Sequence, residues 1–363
     1  MTDAIRPQPG IENIVLYKGC ELTLGARDDV LKLSSNENPF GAPEAAQEAF
    51  RRASLDLHRY PPTDHLSLRT AIADVHDLDV DRIVCGVGSD EILTLLCQAY
   101  AGESDEVIYT QHGFSLYKNL IQSVGAKPVV VPERDRLVDV DAILNATSDQ
   151  TRIVFLTNPG NPTGTMLGNN ALTKLVAGLP KHVLLVMDGA YTEYTDDFDG
   201  GASFVEGHDN VIMTRTFSKI YGLGGLRIGW GYGPQAVIDN LNRIRGPFNL
   251  STAQLDAAEA AIRDRDWVET CKADNAKMRT WLIDELGKLG ISADPSCTNF
   301  VLARFESETS AFACDDVLRA HGILVRRVGG YGLPNCLRIT VGSEADCRRV
   351  MTAVRAFVNG DAS

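Results

Sequence analysis

Seven short apolar runs, each ending in glycine or polar residues, restrict this chain more than any other feature of it. They lie at 82–88, 106–109, 127–131, 152–157, 182–187, 211–216 and 226–232. The segments 43–54, 66–76, 89–100, 114–124, 142–146 and 170–178 read as helices around and between them. Runs of aliphatic and β-branched residues without polar alternation are buried on both faces, as in a parallel sheet covered by helices. The pattern therefore predicts an α/β fold around a mostly parallel seven-stranded sheet. Ligands of such sheets gather beyond the carboxyl ends of the strands. Gly88-Ser89, Asn158, Asp188 and Ser218-Lys219 each follow a run, so they are expected to converge although far apart in the chain.

Beyond Pro234 the pattern changes. Helices are expected at 236–244 and 252–289, the second interrupted near Asp264-Arg265-Asp266. Strands at 299–305, 323–328 and 336–341 and helices at 311–321 and 344–358 complete a smaller α+β unit. Residues 1–35, with Pro7, Pro9, Gly10 and Gly19, read as an extended arm lying on this chain or on a partner. The expected division is arm 1–35, large α/β domain 36–245 and small α+β domain 246–363, with the arm and residues near 36–45 packing with the small domain.

Composition excludes some classes. The 363 residues are 44% hydrophobic and 23% charged, ordinary for a globular protein. A formal net charge of -13 argues against nucleic acid or an anionic membrane as partner. No apolar run approaches the roughly 18 residues of a membrane span, and residues 1–9 lack the apolar core of a signal peptide. The eight cysteines are scattered, several of them in apolar runs (Cys85, Cys97, Cys336), which points to free buried thiols in a reducing cytoplasm. The seven histidines show no zinc-site spacing, and no metal is expected.

Residue by residue, two readings stand beside each other. Lys219 follows an apolar run inside a glycine-rich turn, with Arg227 eight residues on. A lysine shielded from water loses basicity and becomes a usable amine nucleophile, so the pair reads as a Schiff-base lysine and an anion clamp, or as a loop lysine beside a strand arginine. Gly86-Val87-Gly88-Ser89-Asp90-Glu91 turns into a helix start whose free amides suit a phosphate, with Ser89 capping the helix; an ordinary capped helix reads the same way. Asp188 ends a strongly apolar run, where a carboxylate needs a partner such as a protonated pyridine nitrogen, or it caps the next turn. Tyr191 is placed to reach the same ligand. Asn158 and Asn161 sit in a turn with two prolines and two glycines and either donate to a ring oxygen or serve turn chemistry. Arg338, between Leu337 and Ile339, is a bidentate carboxylate fork or a sheet-surface arginine.

In combination these residues resemble the fold-type I aminotransferases that use pyridoxal 5'-phosphate. The pieces come in the family's order over nearly the whole chain: Asn-Pro-x-Asn-Pro-Thr-Gly at 158–164, Asp188 with Tyr191, Ser218-Lys219, then Arg227 after the glycines. Within that family the chain looks most like the histidinol-phosphate branch. The signs are Arg6-Pro7-x-Pro9-Gly10, Tyr17, Asn36-Glu37-Asn38-Pro39, Arg59-Tyr60-Pro61, Gly88-Ser89-Asp90-Glu91 and Ile323-Leu324-Val325-Arg326. Two departures stand out: Gly189 where the family usually has an acid, and Phe114 where it often has tyrosine.

The resemblance implies roles. Lys219, Asp188 and Tyr191 would be catalytic: Lys219 joins the cofactor and shuttles a proton, and Asp188 keeps the ring nitrogen protonated. Tyr191 with Asn161 would hold the ring oxygen. Phe114 would stack on the ring, and Ser89, Asp90, Glu91, Ser218 and Arg227 would surround the phosphate. Tyr60 would reach that phosphate from a second subunit, making a homodimer with shared sites. Arg338 would take the carboxylate of glutamate or 2-oxoglutarate, while Tyr17, Asn38 and Arg326 would contact histidinol phosphate. Transfer between L-histidinol phosphate and 2-oxoglutarate is the implied reaction (EC 2.6.1.9). The alternatives are an aromatic amino acid aminotransferase, a decarboxylase of an amino acid phosphate, and a non-catalytic binding protein.

Overall fold

The computed structural model describes residues 5–360 except 6, 18, 20, 26 and 197. Arg6 of the N-terminal motif thus lies outside the described residues. The strands are β1 (Leu31–Lys32), β2 (Ile83–Gly86), β3 (Glu106–Thr110), β4 (Lys127–Val131), β5 (Glu133–Arg134), β6 (Leu137–Val138), β7 (Thr151–Thr157) and β8 (Leu184–Asp188). They continue with β9 (Val211–Thr216), β10 (Gly229–Tyr232), β11 (Ser292–Ala293), β12 (Phe300–Arg304), β13 (Ile323–Leu324), β14 (Arg326–Arg327) and β15 (Cys336–Thr340).

Seven of these form the central sheet in the order β2-β10-β9-β8-β7-β3-β4. Successive residues of each strand enter opposite cores. Ile153, Phe155, Leu184 and Val186 pack on one face, and Val154, Leu156, Leu185 and Met187 on the other. Each such aliphatic side chain, fully buried, contributes about 1.5–3 kcal/mol. Both faces need apolar residues, so the runs show no polar alternation.

The strands are parallel except β10, which is antiparallel to both β2 and β9. That single reversal positions the site. The carboxyl ends of β2, β7, β8 and β9 lie at one edge, and β10 begins there, its Gly229 opposite both Gly86 and Thr216. Arg227, two residues ahead of Gly229, is carried to the same edge. Gly229 also lets the helix Gly88–Tyr100 start close by, because an added Cβ would press into the backbone at Ser89.

The C-terminal part carries an antiparallel sheet in the order β11-β12-β15-β14. Its core takes in Leu33 from the N-terminal region, and β1 pairs in parallel with β13. The run at 323–328 is two strands in two sheets, β13 and β14, because the chain leaves one partner for the other at Val325. The expected long helix is Thr252–Arg263 and Arg265–Lys288, broken at Asp264, whose side chain caps the second. The hairpin of β5 and β6 and the two-residue β1 went unanticipated, being too short for periodicity to register.

The packing at Gly229 predicts that Gly229→Ala lowers stability by about 2 kcal/mol through backbone overpacking. Urea unfolding should show a lower midpoint at unchanged slope.

Candidate active site

Asp188, the last residue of β8, is 4% exposed. Its Oδ2 accepts from the Tyr117 hydroxyl at 2.7 Å and its Oδ1 from Thr214 at 3.4 Å. Among the described residues it has no salt bridge. Burial pushes this carboxyl up to about 6, opposed chiefly by the Tyr117 hydrogen bond.

Lys219 follows the end of β9. The Thr216 hydroxyl accepts from the Ser218 amide at 3.1 Å and donates to Ile228 O at 3.3 Å, shaping the turn that presents the lysine. Its Nζ donates to Ser35 O at 3.3 Å and stands 5.7 Å from the centre of the Tyr191 ring. Burial first, then the Arg338 and Arg227 guanidiniums, pull the ammonium down to about 8, against Asp90 and Glu37.

The anion end is built from a helix start. The helix Gly88–Tyr100 has Val87 at its N-cap and no side-chain cap to its own amides. Ser89 is therefore not the cap expected of it; it sits inside the first turn, where a hydroxyl no longer reaches the cap position. Glu91 instead folds back, its Oε2 accepting from the Val87 amide at 2.6 Å and from Asn249 at 2.7 Å. Arg227, in the left-handed region at φ 53°, donates to Ser218 Oγ at 2.9 Å and to Asp90 Oδ2 at 3.1 Å.

Beside Asn161, and not itself lining the cavity, Arg338 is 5% exposed. It donates at 2.6 Å each to Asn161 Oδ1 and Ser34 O, while its Nε is buried without a partner. Asn161 thus keeps its amide N–H groups for another acceptor. Asn36 donates to the Tyr191 hydroxyl at 2.8 Å and holds Thr340 and Asn299 of the small sheet.

These groups surround one cavity of about 590 Å³, lined by Ser89, Asp90, Phe114, Thr157, Asn161, Asp188, Tyr191, Ser218, Lys219 and Arg227 among others. Ten residues from the carboxyl ends of five strands (β2, β3, β7, β8 and β9) and the start of β10 are thereby brought together, as the sheet pattern predicts. Several expected site residues fall elsewhere. Glu91 caps the helix from behind. Asn38 donates to Ile220 O at 2.6 Å and to Cys271 Sγ at 3.4 Å, pinning the segment after Lys219. Tyr60 is 82% exposed and stacks on Phe248 at 4.6 Å, away from this cavity. Tyr17 is half exposed. Arg326 donates to Gly19 O at 3.3 Å beside a second cavity of about 650 Å³. It stands directly opposite Arg338 across the β14–β15 pair. Like charges so placed repel, a cost that anionic ligands would remove.

Sequence reasoning missed Tyr117, Thr157, Thr214, Asn36 and the Ser34–Ser35 carbonyls. Two of them left a signal: Tyr117 as an aromatic three residues after Phe114 on a helical run, and Asn36 as the first residue of the Asn-Glu-Asn-Pro motif. Gly189 has a packing reason, since a Cβ there would press on Thr192 and Thr214 O.

The arrangement fits a flat, phosphorylated, cationic-ring ligand bearing a carbonyl. Asp188 is buried with no ion pair among the described residues, the first-turn amides at Ser89, next to Arg227, donate to no N-cap side chain, and Lys219 is a low-basicity amine between them.

Comparison with known proteins agrees. Residues 28–354 match the family described as aminotransferase class I and II. The histidinol-phosphate aminotransferase of Ruegeria pomeroyi is 61% identical over 351 residues, covering 97% of each chain. That of Cereibacter sphaeroides is 59% identical over 357 residues, covering 98% of this chain and 99% of the relative. The structure of histidinol-phosphate aminotransferase from Sinorhizobium meliloti in complex with pyridoxal-5'-phosphate matches with a TM-score of 0.90 at 27% identity, covering 99% of this chain and all of that one. Among the described residues no helix is long and apolar enough to cross a membrane.

In cofactor-free protein, the labelling rate of Lys219 by acetic anhydride should rise with pH to a midpoint near 8, because only the neutral amine reacts. Competitive labelling with mass spectrometry, using exposed Lys288 as internal reference, checks this.

Proposed function

This chain belongs to the class I and II aminotransferases, and from that membership we infer that it transfers the amino group between L-histidinol phosphate and 2-oxoglutarate. The observation that carries the reading is the juxtaposition of a buried, uncompensated Asp188, a low-basicity Lys219 and the Ser218–Arg227 anion site in one cavity. Relatives 55–61% identical over nearly the whole chain bear the histidinol-phosphate name. The product pair is imidazole acetol phosphate and L-glutamate, a step of histidine biosynthesis.

The cofactor is pyridoxal 5'-phosphate, which when bound supplies a carbonyl for the substrate amine and a protonated ring that draws electrons from Cα. The Asp188 carboxylate would hold the charged ring nitrogen. The Tyr191 hydroxyl, turned by Asn36, and the Asn161 amide, turned by Arg338, would bind the ring oxygen. Phe114 forms a wall against the ring face. Ser218 Oγ, Arg227 and the first-turn amides at Ser89 and Asp90 would take the phosphate. Lys219 Nζ takes the proton from substrate Cα and returns it, a task suited to an amine held at about 8.

Arg338 would bind the carboxylate of glutamate, its Nε still free to donate. Arg326, with Tyr17 of a partner's arm, would bind the phosphate of histidinol phosphate, which has no carboxylate. Two arginines opposite each other across the β14–β15 pair would supply two neighbouring anion sites, one for each substrate. A phenylalanine or tyrosine aminotransferase has no use for the second anion site and is not favoured.

A homodimer completes the reading. Tyr60 faces away from its own cavity among exposed apolar residues Phe40, Phe50, Leu55, Leu57 and Leu66, a surface that suits a second copy. That copy would bring Tyr60 to the neighbouring phosphate site. The seven described cysteines are free, which agrees with a reducing, cytoplasmic setting. The division into arm, large domain 36–245 and small domain 246–363 is kept as part of this proposal.

A paired half-reaction tests the substrate: loaded enzyme given histidinol phosphate should lose its visible absorbance band, while phenylalanine should leave it largely in place. Conversion by phenylalanine alone would refute the phosphate assignment. Lys219→Ala should lower kcat by about 10³-fold or more with the fold intact by circular dichroism. Arg326→Ala should raise KM for histidinol phosphate by about 10–100-fold and leave the glutamate half-reaction near wild type.

A further inference from the structure

We infer that Tyr117 is a positioning residue for the cofactor's ring nitrogen, acting through Asp188: its hydroxyl keeps that carboxylate ionised and aimed into the cavity. The inference rests on the role given to Asp188 above.

The ring of Tyr117 is fully buried. It lies 4.6 Å from Phe155 at 9° between planes and meets Phe114 and Tyr109 edge-on at 5.8 and 6.4 Å. Held on three sides, it has one place for its hydroxyl, 2.7 Å from Asp188 Oδ2 and 2.6 Å from Thr157 Oγ1. A phenol has one proton, and a carboxylate is a stronger acceptor than a hydroxyl. The proton therefore points to Asp188, and Thr157 donates to the phenol oxygen. The outcome is a two-hydroxyl chain directed at the carboxylate.

Among the described residues Tyr117 is the strongest donor to Asp188, and the Thr214 hydroxyl and the Ala190 backbone amide contribute less. The Thr214 hydroxyl is 3.4 Å away. Asp90, on the helix Gly88–Tyr100, acts in the wrong sense and raises the Asp188 pKa. Tyr191 shares the cavity but its hydroxyl accepts from Asn36, and Lys219 and Arg227 also line it without an ion pair to Asp188 among the described residues. Burial and Asp188 itself push the Tyr117 phenol well above its ordinary range, so it stays a donor at every working pH.

Pyridoxamine 5'-phosphate is the probe, since it carries no carbonyl and binds Lys219 without a covalent bond. Its 1-deaza analogue, with C–H at the ring position, is the control. Equilibrium binding to cofactor-free protein is followed by intrinsic fluorescence across pH. Tyr117→Phe keeps the ring packing and removes the donor. The variant should bind the probe about tenfold more weakly than wild type near pH 5.5, with the gap closing toward about pH 8. The sign follows from an Asp188 that protonates at higher pH once its donor is gone, so the acid limb moves up. The deaza analogue should bind both proteins alike. Thr157→Val should shift the limb in the same direction by less, and decides the matter alone if Tyr117→Phe does not fold. An unmoved acid limb, or a loss shared equally by the deaza analogue, overturns the positioning role. Wild-type protein that binds probe and analogue equally would instead overturn the role of Asp188, which keeps the two failures apart.

Discussion

A carboxylate at the end of a central strand, shut away from water and facing no cation, is the constraint on which this site depends. Isolated burial of that charge is costly, and among the described residues the chain offsets it with neutral donors, the Tyr117 and Thr214 hydroxyls and the Ala190 backbone amide. Hydroxyls stabilise a carboxylate less than a guanidinium does, so Asp188 remains short of a partner. An arginine in their place would have made a satisfied structural ion pair. The polar but neutral surroundings leave the carboxylate open to the charged ring proposed for it.

The same economy of charge appears across the cavity. Arg338 spends two of its donors on Asn161 and Ser34, keeps Nε free, and faces Arg326 across a strand pair. Lys219 sits between acidic and basic groups with burial deciding its basicity. The segment from Leu33 to Asn38 ties these ends together. It pairs with β13 and β15 on one side and reaches Tyr191, Lys219 and Ile220 on the other. Strand pairing in the small sheet and the orientation of Tyr191 and Lys219 are therefore coupled through one short strap.

Much of this was legible in the linear pattern, for particular reasons. The apolar runs had to be buried on two faces, which left a parallel sheet as their solution. Glycine turns after the runs marked where the chain ends its strands, so the Asp188, Asn161, Ser218-Lys219 and Arg227 positions stood out. Glu91 and Ser89 did not behave as the helix-start pattern suggests. The chain begins its helix one residue earlier, and that shift exchanges the capping residue. Asn38 is drawn to a backbone carbonyl that no spacing rule locates, while its neighbour Asn36 takes the place beside Tyr191. Tyr117 was hidden because an aromatic on a buried helix face has the same signature whether its hydroxyl is used or not.

Local chemistry along the chain was enough to specify element types, the sheet class and the candidate site side chains, because each depends on periodicity or on a residue's own functional group. Pairwise distances were another matter. The antiparallel insertion of β10 between β2 and β9 carries Arg227 to the edge where the parallel strands end, and no periodicity encodes strand direction. The basicity of Lys219, the ionisation of Asp188 and the hydrogen-bond partners of Arg338 follow from what folding packs around them. Those neighbours are tens to hundreds of residues away, and the energies that set them fall off within a few ångströms.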